Sequence, residues 1–326
     1  MEVRTVSGPV PSEPPLWRKL LVPGAMFVVF WTLAIVLWRV TGSIIPVINF
    51  GYIGTSVALG MGLYAVLPRQ KKSIGRKLAL FLVGGYMFGL LGLVGRENMQ
   101  LEGFFLYLLA GFWAGAIMHY LVAKVFGPLI FGRGWCGWAC WTAMVLDLLP
   151  YRRSPGRVAG KWGLLRYAHF ALSLGLVLGL WYGLGYRIDL KQRASDFTWL
   201  VAGNTLYYGL GIALAISLKD NRAFCKYVCP ITALLKVTSR LSLMKVRGKA
   251  DLCTECGACT RQCPMDIRIP EYVKTGRRVL STECIICQSC IYACPERALS
   301  LSFGFDVGGR EALRERSSSG GNGVTL

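Results

Sequence analysis

Two short runs limit what this chain can become more than anything else in it. "CTECGACTRQCP" occupies Cys253 to Pro264, and "CIICQSCIYACP" occupies Cys284 to Pro295. Both read C-x2-C-x2-C-x3-C-P, a spacing in which one tight loop offers three thiolates to three corners of an iron–sulfur cubane. In a two-cluster domain the fourth cysteine crosses to the other cluster. Cluster one then takes Cys253, Cys256, Cys259 and Cys294, and cluster two takes Cys284, Cys287, Cys290 and Cys263. Zinc also uses C-x2-C, but it needs four ligands without crossing and does not favour this run. Residues 249–302 are therefore expected to form a small α+β domain of the two-cluster bacterial-ferredoxin type. Its own core is small, so two [4Fe-4S] clusters must supply much of its stability. Ile285, Ile286 and Ile291 are placed to shield the second cluster. Arg261, Arg268, Lys274, Arg277 and Arg278 make the module basic. Anionic lipid headgroups and an acidic redox protein both fit that charge, and the headgroups are the simpler expectation.

The rest of the chain is built for lipid. Of 326 residues, 54% are hydrophobic and only 17% charged, where a soluble domain carries about 25% charged residues. Within residues 20–248, six apolar stretches run 20–38, 44–67, 78–95, 103–123, 167–186 and 199–218. Each approaches the roughly 20 residues that cross a bilayer. The second is the weakest, because Pro46, Asn49 and several glycines interrupt it; a re-entrant segment fits there too. The net charge of +20 sits in short clusters between these stretches. Clusters of that kind write membrane topology and argue against nucleic acid. Residues 68–77 carry five Lys and Arg, and residues 124–166 carry seven. A mostly α, polytopic six-helix domain with both termini in the cytoplasm satisfies that bias, which predicts a multi-pass inner-membrane protein with a cytoplasmic ferredoxin domain. A Pro-rich segment, 1–19, reads as disordered, and 303–326 as a flexible tail.

"GRGWCGWACW" at 132–141 recurs 89 residues later as "NRAFCKYVCP". Arg133, Trp135, Cys136, Trp138 and Cys140 align with Arg222, Phe224, Cys225, Tyr227 and Cys229. Each copy follows a pair of expected helices, so the repeat reads as parallel, about an axis along the membrane normal. With these four, all twelve cysteines fall in motifs, which argues for cofactor ligation or redox work in a reducing compartment. Cysteines four apart share a helical face, and Arg133 and Arg222 are positioned to lower their pKa values. Three readings fit: packing residues beside interfacial aromatics, a dithiol that cycles or handles copper, and a joint site. The last is expected, with Cys136, Cys140, Cys225 and Cys229 holding an iron–sulfur cluster or a single metal ion.

"FGRGWCGWAC", "FCKYVCP" and two ferredoxin motifs behind a polytopic region resemble the NapH/MauN-type family of membrane-bound [4Fe-4S] ferredoxins, over residues 75–302. The membrane parts of NosR and CcoG are related to that family. Trp141 stands where the family usually has Pro. The resemblance implies a membrane-integral electron carrier that oxidises quinol for a partner reductase or dehydrogenase, an oxidoreductase subunit of the quinol-dehydrogenase kind. The alternative is a maturation factor that reduces copper or a disulfide through the C-x3-C pairs, and a redox sensor is a third reading. His119 and His169 lie near the cytoplasmic ends of expected helices four and five. Either fits a quinol contact, although a packing role or a bis-histidine haem fits as well. Glu97 and Glu102, in "RENMQLE", read as a solvated loop on the opposite side. With no nucleotide fingerprint, P-loop or catalytic triad in the sequence, no hydride or hydrolytic chemistry is expected.

Overall fold

The computed structural model describes residues 15–113, 116–188 and 194–316. Among these, five helices are long and apolar enough to cross a membrane: α1 (Leu16–Thr41), α2 (Ile45–Val66), α3 (Arg69–Val94), a helix over Trp162–Gly183, and one whose apolar span is Asp196–Leu218. α1 runs straight through the expected start at residue 20, so 16–19 are helical; residues 1–14 lie outside the described residues. α2 is continuous. Pro46 falls in its first turn, where the missing N–H leaves no intrahelical bond unmade.

The fourth expected span, 103–123, is not one helix. α4 (Leu101–Leu109) stops at a turn where Gly111 takes φ +67, a conformation glycine adopts without penalty. The chain then returns as a shorter apolar helix, α5 (Ala116–Phe131). α4 starts deep within the helix bundle. Glu102 bonds Ser173, midway along Trp162–Gly183, whereas Tyr107 bonds Asp196 in the first turn of the last long helix. The segment joining α3 to α4 therefore dips inward, and Asn98, Met99, Gln100 and Leu101 are all buried. Irregular backbone at that depth is tolerated because protein, not lipid, surrounds it.

Two short helices, α6 (Gly134–Trp138) and α7 (Trp141–Leu146), follow α5, and then α8 (Trp162–Gly183) and α9 (Ala194–Leu218). α10 (Ala223–Tyr227) and α11 (Ile231–Ser239) lead into the ferredoxin-type module. β1 (Met244–Gly248) pairs antiparallel with β2 (Leu299–Phe303), from Met244↔Phe303 to Gly248↔Leu299. The module's sheet thus begins before the expected boundary at 249. Helices α12 (Ala258–Arg261), α13 (Ile269–Lys274) and α14 (Ser289–Ala293) sit between the strands. Val246, Met265, Ile267, Tyr272, Val273 and Ile285 form the module's core.

The expected tail is packed as far as residue 316. Leu313 bridges Ile267, Glu315 bridges Arg157, and Arg314 reaches the Asp266 carboxylate at 2.9 Å. These partners are buried polar groups that the returning chain satisfies. Residues 317–326 lie outside the described residues.

Candidate metal centres

The two ferredoxin motifs fold as copies 31 residues apart. Glu255 and Ile286, Gly257 and Gln288, and Asp266 and Arg297 all take positive φ, at matching places in each copy. Residues turned this way curl the backbone so that successive N–H groups face inward, as an anionic cluster requires. Each copy helps wall one cavity with about 360 Å³ of atom-free space. The first is lined by Cys253, Cys256, Cys259 and Cys294, and the second by Cys263, Cys284, Cys287 and Cys290. Each cavity thus draws one cysteine from the other motif. Burial pushes the Cys263 and Cys284 thiols up to about 12 each, and Cys287 adds to both. The donor set and the inward backbone fit a cubane in each cavity.

The C-x3-C segments are also local copies. α6 and α10 hold Cys136 and Cys225, and the amides of Cys140 and Cys229 bond the carbonyls of Trp135 and Phe224 at 3.1 and 2.9 Å. Burial pushes the Cys225 thiol up to about 12, against the pull of Arg222, with Cys229, Cys140 and Cys136 adding to it. Burial pushes Cys229 to about 11, and Cys136 and Cys140 again contribute. The two pairs are therefore close enough to feel each other's charge. The Lys124 ammonium is buried, lies over the Trp135 ring at 4.2 Å, and has Cys140, Cys136 and Cys229 as charge partners. Thiolates here would have this ammonium as a charge partner. Among the described residues no three His, Cys, Asp or Glu side chains gather closely enough for a single metal ion. The same holds for the ferredoxin cysteines.

The arginines beside these cysteines do more than the sequence disclosed. Arg133 bonds Glu283 at 2.9 Å, and the same carboxylate meets Arg157 at 3.0 Å, Arg166 at 2.9 Å and Lys236 at 2.6 Å. Burial pushes the Glu283 carboxyl up, but Arg133, Arg166, Arg157 and Lys236 together hold it well below the usual carboxylate range. Arg222 meets Asp147 at 2.8 Å, donates to the Cys136 carbonyl at 3.1 Å, and lies 4.0 Å from the Cys225 sulfur. Of the two, only Arg222 contacts a thiol among the described residues. Lys226 bridges Asp220 and Asp266 at 2.6 and 2.5 Å. These pairs join the loops after α5 and α9 to the ferredoxin module. Gly137 sits so close to it that a Cβ would lie 2.3 Å from the Ile285 carbonyl, and the Trp138 indole donates to Ile286 at 2.9 Å.

The two histidines flank the C-x3-C pairs on the helix side. His119 packs on Trp135 with ring centroids 4.9 Å apart. His169 places Nδ1 3.0 Å from the Val228 carbonyl, so Nδ1 is the donor of that bond. Glu102, read from sequence as part of a solvated loop, is half-buried and accepts from Ser173 at 2.6 Å. Among the described residues the buried hydroxyls of Tyr120 and Tyr207 have no hydrogen-bond partner, and both have Glu102 and Cys229 as charge neighbours. Neither tyrosine stood out in the sequence, since a lone Tyr in an apolar helix carries no spacing signal.

Helices of membrane-crossing length joined to a two-cavity cysteine module define a ferredoxin-type electron-transport protein of the membrane. Residues 245–295 match the "4Fe-4S dicluster domain" model, and 113–159 and 205–249 each match the "4Fe-4S binding domain" model. The chain is 28% identical to YccM of Escherichia coli over 55% of this chain and 54% of that one. It is 29% identical to the ferredoxin-type protein NapH of Haemophilus influenzae, over 60% and 69%. The methylamine utilization ferredoxin-type protein MauN of Methylobacillus flagellatus is 30% identical, over 46% and 54%. The chain thus spans about half the length of YccM and MauN. No solved structure matches it. It is similar to the NapH/MauN-type ferredoxin-like proteins.

Proposed function

We propose that the chain links the quinone pool to a separate redox enzyme, as a membrane-integral electron-transfer subunit of the quinol-dehydrogenase kind. The observation that carries this reading is the Trp138–Ile286 hydrogen bond of 2.9 Å. It fastens the first C-x3-C loop to the backbone that carries the cluster-two cysteines. Cys136, Cys140, Cys225 and Cys229 would hold a membrane-proximal centre, and the ferredoxin cysteines the two [4Fe-4S] clusters in crossed sets. When bound, these groups supply one-electron carriers. The chain's own residues do the rest. Lys124, Arg133 and Arg222 offset the charge of the thiolates, and Trp135, Trp138, Phe224 and Tyr227 keep water from them. Glu102, fixed by Ser173, is the group best placed to take a quinol proton, with Tyr120, Tyr207 and His169 between it and the cysteines. The route then runs from the four cysteines to cluster two and on to cluster one, whose Cys256 is exposed and faces a partner. The Lys/Arg distribution puts the module and both termini in the cytoplasm.

The maturation reading needs thiols that copper can reach, and Cys136 and Cys225 are buried. Iron counting on anaerobically purified protein tests the proposal. Iron should exceed that of two cubanes, and the excess should vanish in a Cys136→Ser, Cys225→Ser variant while both ferredoxin signals persist. Copper at the pairs, with no extra iron, would favour the maturation factor.

A further inference from the structure

The ferredoxin module carries an apolar edge that nothing among the described residues covers. Phe303, Phe305 and Val307 are 66%, 75% and 61% exposed, and Leu243, Leu241 and Val237 stand exposed beside them. Backbone bonds place this edge at the end of α5. The Leu243 amide donates to the Leu129 carbonyl at 2.9 Å, and the Gly304 amide to the Leu243 carbonyl at 3.0 Å. Ile130 and Phe126, next to Leu129 on α5, are exposed as well, so the apolar surface continues from the helix onto the module. Patches of this kind on a protein surface mark a membrane or protein contact.

Charge selects between the two. A groove beside the edge is lined by Arg247, Arg277, Arg278, Leu280, Phe303 and Phe305. Arg278 is held rigid by Asp306 at 2.7 Å and the Leu243 carbonyl at 2.8 Å, and Lys245 pairs with the same Asp306. Arg247 and Arg277 are exposed, with no ion pair or side-chain hydrogen bond among the described residues. Three guanidiniums therefore line a groove that holds one carboxylate, Asp306, and two aromatic rings. Apolar side chains that continue a lipid-facing helix, with unpaired guanidiniums directly above them, reproduce the order of a leaflet: acyl chain, then phosphate.

We propose that this edge is a lipid-binding site. Phe303, Phe305 and Val307 enter the leaflet, and Arg247 and Arg277 hold the phosphate of an anionic headgroup. The module is thereby tilted by lipid as well as by its ion pairs. The test places p-benzoylphenylalanine at position 305 of the full chain, in nanodiscs of phosphatidylcholine with a third phosphatidylglycerol. On irradiation the intact mass should gain one phospholipid, with phosphatidylglycerol over-represented at least threefold relative to its share. Arg247→Glu with Arg277→Glu should keep the adduct but remove that preference, and the cluster spectra should not change. No lipid adduct, or an adduct to a second polypeptide, overturns the proposal. A preference unchanged in the double variant overturns the phosphate assignment.

Discussion

Arg133 and Glu283 meet at 2.9 Å with both side chains almost wholly out of solvent. One belongs to the loop that carries Cys136, and the other immediately precedes Cys284. Glu283 also answers Arg157, Arg166 and Lys236, so a single carboxylate joins the helical part of the chain to the module. Removing it leaves buried cations unpaired, which costs about 3–5 kcal/mol. Glu283→Gln should lower the midpoint of thermal unfolding and speed proteolysis near residues 240–250. An unchanged midpoint and cleavage rate would mean that packing alone holds the seam.

Crossed ligation is open to a direct test. Cys294 lines the cavity of Cys253, Cys256 and Cys259 although it belongs to the other motif. Cys294→Ser should damage cluster one and spare cluster two by paramagnetic resonance. Loss of cluster two alone would assign the ligands motif by motif.

The proton side of quinol oxidation rests on Glu102 and the histidines. Glu102→Gln, His169→Ala and His119→Ala should each leave both ferredoxin clusters spectroscopically normal. Losing an acid–base group slows a reaction by ~10²-fold or more, and cluster reduction by a quinol analogue should slow on that scale in Glu102→Gln. If either histidine serves the quinol, its variant should slow likewise. Unchanged rates in all three would return these residues to helix packing.

Asp147 gives a pH signature. Burial pushes its carboxyl up, but Arg222 and Arg76 outweigh that and hold it below the usual carboxylate range. A depressed pKa contributes stability that is complete above the unfolded value of about 3.9 and is lost as pH falls through the folded one. Asp147→Asn should therefore be less stable than the parent by a constant margin from pH 5 to 8. The gap should close only below about pH 4. A gap that shrinks near neutrality would point to another titrating group.

Orientation can be read with reporter fusions. Those after residues 72, 155 and 246 should report the cytoplasm, and one near residue 99 should not, because Lys and Arg cluster around the first three. A periplasmic report at 246 would reverse the module.

The grouping of the ferredoxin cysteines was legible from spacing: the four positions that counting assigns to each expected cluster line one cavity. The second C-x3-C copy was legible through its register with the first. Helix continuity was harder. Residues 44–67 were the weakest of the expected spans and form one continuous helix, with Pro46 in its first turn. Residues 103–123 looked continuous and are broken, because hydropathy does not register a turn at Gly111 or the buried amides of Asn98 and Gln100. Glu102 was misplaced for the same reason. The Glu283 hub was invisible, since its partners Arg133, Arg157, Arg166 and Lys236 lie 47 to 150 residues away.

The matched left-handed residues of the two ferredoxin motifs make two sockets from one design, yet the sockets do not end up equivalent. Cys287 is buried and Cys256 is exposed, because one half of the module is pressed against the helices and the other is turned to solvent. Exposure and hydrogen bonding around the sulfurs are levers on cluster potential. A duplicated motif would by itself give two carriers at one potential, with no preferred direction between them. Seating one copy against the helix bundle would give clusters held in the two sockets different surroundings, and with them different energies.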